Sequence, residues 1–150
     1  MNEAIFWELV GQLDWAHSGD DGLVVEPIVA RLAELCQEEI EDFQETLAVK
    51  LHMIDGRAWA SQSGSDIWWG EPDGLSADGF LYARCVVVAN GKAFFEKVLT
   101  SPEMMPKDME FEALLYVAAT ARERRLGIQG QIDTDVSYET FSNADGWRPA

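Results

Sequence analysis

The sequence predicts a mainly all-α fold, a single-domain helical bundle with an irregular C-terminal tail, and three observations carry that prediction. Apolar residues recur every three or four positions through most of the first 127 residues. Helix start and stop residues (Asn2, Pro27, Asn90-Gly91, Gly127) flank those periodic stretches. The apolar run of Phe80 to Ala89 contains the β-branched Val86, Val87 and Val88, yet no other segment offers it a partner strand. The spacing yields about five to six helices in a domain over residues 1–127, with residues 128–150 as a tail packed against it.

The first helix is expected over Asn2 to Trp15, with Asn2 as its cap and Ile5, Phe6, Leu9, Val10 and Leu13 on one stripe. His17 to Gly22 (HSGDDG) reads as loop, and a second helix is expected to start after Glu26, at Pro27, and to stop near Cys36. A third follows in QEEIEDFQETLAVKLHMID, with Ile40, Phe43, Leu47, Leu51 and Ile54 on its inner face. Its acidic residues crowd toward the N-terminal end, where the helix dipole favours negative charge.

SQSGS breaks the next segment, and GEPDGLSADG reads as an exposed turn. Ser76 and Asp78 then offer caps for a buried helix that closes at Asn90-Gly91. A short helix from Lys92 to Leu99 ends at Ser101-Pro102, and Pro106 and Asp108 introduce the last one, which finishes in ARERRL before Gly127. Ile132, Val136, Tyr138, Phe141 and Trp147 give the tail apolar groups with which to pack back.

A chain of 150 residues is long enough to bury a core without staples. Cys36 and Cys85, lacking a CxxC spacing, read as reduced core residues. The start of the chain has no basic region before an apolar core, and no apolar run reaches the ~20 residues of a spanning helix, so the expected location is cytoplasmic. Eleven Lys and Arg against 27 Asp and Glu leave a net charge of -16. That charge repels nucleic-acid phosphates and anionic lipids and steers a basic protein inward; the bland alternative is that it only keeps the chain soluble.

Phe6-Trp7, the EIEDF of the acidic helix, SADGF from Ser76 to Phe80, Arg84, and NGKAFFEKVLTSPE followed by EALLYVAATA occur in an order that resembles the bacterial family called domain of unknown function 4240. The likeness runs from the N-terminus to about Leu126, and it implies an all-helical domain without implying an activity. In that family an aromatic residue usually precedes the Arg and a Trp-Leu-Ile-like segment follows it. Here Ala83-Arg84 leads into Cys85-Val86-Val87-Val88, and the tail after Gly127 is particular to this chain.

No residue pattern predicts catalysis, a cofactor or a metal: HExxH and EF-hand spacings are absent, and SADGF lacks the GxSxG frame of a nucleophile turn. His17 and His52 read as surface or capping residues. Arg84, inside an apolar helix, needs a carboxylate partner, with Asp78, Glu8 or another acid as candidates. Trp7 and Trp59 belong to helical patterns and to the core, whereas Trp68, Trp69 and Trp147 lie beside glycines and acids as candidate interface anchors.

These readings favour an acidic protein-binding module, an immunity-type inhibitor of a basic toxin or nuclease, whose interface comprises Glu38, Glu39, Glu41, Asp42, Glu45, Trp68 and Trp69. The alternatives are a small-molecule enzyme with a ligand site at Trp68, Asp73, Asp78 and Arg84, and a regulatory or scaffold protein.

Overall fold

The helical periodicity becomes a mostly helical chain in the computed structural model, which describes residues 1–70 and 74–149. Among those residues are eight α-helices and one antiparallel pair of very short strands. Helix α1 spans Glu3–Val10, and the Asn2 side chain accepts from the Ala4 amide at 2.7 Å. It stops short of Trp15 because Asp14 caps a turn of its own: Asp14 Oδ1 accepts from Ala16 N at 3.2 Å and opens a 3₁₀ turn over Trp15–His17.

Helix α2, Asp21–Leu32, begins earlier than expected, inside the stretch read as loop. The reason is Asp20, whose carboxylate accepts from Leu23 N at 3.2 Å and supplies the missing cap. Pro27 therefore lies within the helix, where it removes the amide that would reach the Leu23 carbonyl. Helix α3, Gln37–Met53, follows with Ile40, Phe43, Leu47 and Leu51 buried. Cys36 is its N-cap residue and is exposed, which corrects its assignment to the core; Cys85 is buried.

After the single turn of α4, Arg57–Ala60, strands β1 (Trp68–Gly70) and β2 (Gly74–Leu75) pair antiparallel, with Trp68 opposite Leu75 and Gly70 opposite Gly74. Within the stretch read as an exposed turn, Gly74–Leu75 is thus a paired strand, and Gly74 is buried. Helix α5, Ala77–Ala89, is capped by Ser76 Oγ, which accepts from Gly79 N at 3.0 Å. Ten of its thirteen residues are buried, so its near-uniform apolarity reports a helix enclosed on most sides rather than a strand.

Helix α6 runs Lys92–Thr100. The last long helix starts later than Pro106 and Asp108 suggested. Asp108 adopts φ 54°, donates its amide to the Ser63 carbonyl at 2.8 Å and accepts from Asp66 N at 2.8 Å, so it straps the chain instead of opening a helix. A 3₁₀ turn over Glu112–Tyr116 leads into α7, Val117–Leu126, which ends on Gly127 in the left-handed region at φ 69°.

Helices α1, α2, α3, α5, α6 and α7 share one apolar core that includes Phe6, Ile28, Phe43, Phe80, Val98 and Ala118. Residues beyond α7 pack on it through Ile132, Tyr138 and Trp147 and form the short helix α8, Ala144–Trp147. Glu45 Oε2 accepts from Asp135 N at 2.8 Å and Glu45 Oε1 from Val136 N at 3.1 Å, tying this segment to α3. Among the described residues no helix is long and apolar enough to cross a membrane.

Candidate partner-binding groove

The acidic helix face does not form one free patch, because most of its carboxylates have internal partners. Glu45 holds residues 135 and 136, and Glu41 meets Arg122 at 3.3 Å and accepts from Gln37 Nε2 at 2.8 Å. Glu39 accepts from the Cys36 amide at 3.0 Å, which holds its carboxyl below the ordinary 4.5. Asp42 lies 3.6 Å from the Met1 amino group, and Glu38 is exposed.

Where α1 meets the junction of α2 and α3, a cavity of about 380 Å³ opens between Leu9, Leu35 and the half-exposed Ile5. Its border carries Glu8, Glu39 and Asp42, all exposed. Among the described residues its wall carries two cations, both held by acids: Arg31, by Glu34 at 2.8 Å, and the Met1 amino group, 3.6 Å from Asp42. An apolar floor with a negative border can take an apolar side chain flanked by lysines or arginines. Two of the acids expected at an interface, Glu39 and Asp42, are brought together here.

Trp68 and Trp69 lie elsewhere, on β1. Trp69 is 63% exposed, whereas Trp68 packs against the core. Trp147 is no exposed anchor: its indole N–H donates to Asp55 Oδ1 at 2.8 Å, and its ring meets Phe80 edge-on at 6.0 Å and Phe141 at 4.6 Å. Trp59 is tied to the core by donation to the Val98 carbonyl at 2.9 Å.

The alternative ligand site is not assembled either. Asp78 and Arg84 are six residues apart on α5, about 9 Å along the axis and on different faces. Asp78 is exposed and Arg84 fully buried, while Asp73 lies outside the described residues. The acidic partner of Arg84 is Asp55, neither Asp78 nor Glu8, with Nη2 3.9 Å from Asp55 Oδ1. Arg84 also donates to the Leu51 carbonyl at 2.9 Å and to Thr140 Oγ1 at 3.1 Å, and its guanidinium carbon lies 4.8 Å from the Phe80 ring centre. Burial draws its pKa below the ordinary value, and the Asp55 charge opposes that shift.

Asp55 is the residue that sequence reasoning missed. It is fully buried and accepts from Phe141 N at 3.2 Å, Asn143 N at 2.9 Å and the Trp147 indole. Nothing local marks it, because every one of those donors arrives from the far end of the chain. Ser142 Oγ lies 3.5 Å from both Asp55 Oδ2 and His52 Nδ1. This is not a nucleophile arrangement: the carboxylate meets the serine rather than the far ring nitrogen of the histidine, and His52 Nδ1 faces the Ser137 carbonyl at 3.0 Å.

Comparison with curated proteins gives no match, and comparison with solved structures gives none. A family model does match, over residues 1–124, which takes in the groove, Asp55 and Arg84 but stops before the tail that closes over Asp55 and Arg84. The chain therefore belongs to the family described as protein of unknown function, DUF4240.

Proposed function

We propose that this protein is an acidic binding module that neutralises a basic protein partner, of the immunity type in which a toxin such as a nuclease has its active surface covered. The observation that carries this reading is the groove of Ile5, Leu9 and Leu35 bordered by Glu8, Glu39 and Asp42, on a chain of net charge -16. Long-range attraction brings a cationic partner in, and burial of an apolar anchor on Ile5 and Leu35 holds it. The helices form a bundle that serves as a rigid support for this surface. A cytoplasmic location suits an inhibitor that meets its target inside the cell that makes both.

The test is capture of partners by the tagged full chain in its own cells, at low and at high salt. A stoichiometric basic protein is expected, released by salt and lost in Ile5→Asp and Glu8→Lys, two exposed positions on the groove. The control reversal Asp145→Lys, exposed on α8, should retain it. Absence of any basic partner, or one indifferent to both groove variants, overturns the reading.

A further inference from the structure

A second cavity, of about 340 Å³, lies between the Trp15 turn, α2, the end of α5 and the strap before the Glu112–Tyr116 turn. Its aromatic wall is the Trp15 ring, backed at 5.3 Å and an inclination of 48° by the buried Phe111 ring, with the buried Val24 and Val86 as floor and the exposed Met109 at the edge. Among the described residues, the charged side chains on its wall are both carboxylates, Asp21 and Glu110.

Trp15 is 45% exposed, yet it is not loosely held. Asp14 caps its turn, Ser18 Oγ donates to the Trp15 carbonyl at 2.7 Å, and His17 Nδ1 lies 2.9 Å from Asp14 Oδ2. An exposed indole on a pinned turn is a preformed wall.

The electrostatics of the cavity have one sign. Val86 and Asn90 bring the C-terminal end of α5 to its wall, where the helix dipole is negative. The positive end of α2, across from it, is covered by the Asp20 cap and by Asp21. Burial pushes the phenol of Tyr82, beside this region, above its ordinary value, and Glu112, Asp78 and Glu110 add to that shift.

We propose that this cavity binds a small organic cation, an alkylated ammonium group carried on a short apolar or hydroxylated stem. The exposed face of the Trp15 indole, backed by the buried Phe111 ring, attracts the cation, Asp21 and Glu110 neutralise it, and Val24, Val86 and Met109 receive its methyl groups. This site is separate from the groove at Ile5 and stands or falls independently of a protein partner.

The probe is choline, compared with its uncharged isostere 3,3-dimethylbutan-1-ol at matched ionic strength. Binding to the full chain is followed by the Trp15 indole N–H resonance, which Trp15→Phe assigns by its disappearance. A saturable shift with choline is expected, weakened about tenfold for the isostere and about tenfold by Glu110→Gln or Asp21→Asn, both exposed positions that leave the core intact. No saturable shift, or equal response to choline and the isostere, would overturn the assignment. A choline response that survives both carboxylate variants would overturn it as well.

Discussion

The indole of Trp147 donates to the carboxylate of Asp55 at 2.8 Å, joining two residues 92 positions apart. Through that bond the tail beyond the family-matched region closes over a buried ion pair within it.

The two halves of that pair should differ in their importance. Asp55→Ala leaves the Arg84 guanidinium without a counter-charge and the Phe141, Asn143 and Trp147 donors without an acceptor, at a cost of about 3–5 kcal/mol by denaturant unfolding. Arg84→Met should cost less, since Asp55 keeps its tail donors and the methionine fills the space against Phe80. Equal losses would mean that the charge pair, at 3.9 Å, outweighs the hydrogen bonds.

The tail reaches Asp55 because two glycines cross. A Cβ on Gly146 would lie 2.3 Å from the Asp55 carbonyl oxygen and 3.0 Å from Gly56 Cα. Gly146→Ala should therefore lower stability by about 1–3 kcal/mol and make residues 128–149 more open to limited proteolysis. A variant as stable and as resistant as the parent would show that the tail can shift without loss.

Acid should remove one capping contribution. In the folded protein Glu39 titrates below 4.5, because the Cys36 amide favours its charged form. A depressed carboxyl contributes stability that is full above its unfolded pKa and is lost as pH falls through the folded value. The Tm of Glu39→Ala should lie below that of the parent at neutral pH, and the gap should close as pH falls below 4.5 through the depressed folded value. A gap unchanged by pH would mean that Glu39 acts by packing alone.

The two thiols should separate cleanly. Burial pushes the Cys85 thiol up to about 12, whereas Cys36 is exposed at the start of α3. Ellman's reagent should modify one thiol in the native protein and both after denaturation. Rapid reaction of both in the native state would mean that α5 is accessible by local opening.

By itself the sequence determined the helical class and the family resemblance, and it located the features whose physics is short-range. Asn2, Ser76 and Gly127 act within three or four residues of themselves, so their roles at helix ends are visible in the string of letters. Periodicity likewise showed which face of α3 is inward. Where two local signals competed, only the structure decided: Asp20 won over Pro27 as the start of α2, and Asp108, read as introducing the last helix, became a strap.

The arrangement of the surface and the interior was a tertiary matter throughout. Glu41 and Glu45 look like free acids in sequence, yet Arg122 and residues 135–136 occupy them in the fold. Asp55 has no local signature, because its donors lie 86 to 92 residues away. The groove at Ile5 and the cavity at Trp15 arise the same way, from segments that meet only once the core has drawn them together. Caps and periodicity are written within one or two helical turns, whereas a site needs residues from separate elements, and burial of the shared core sets their relative positions.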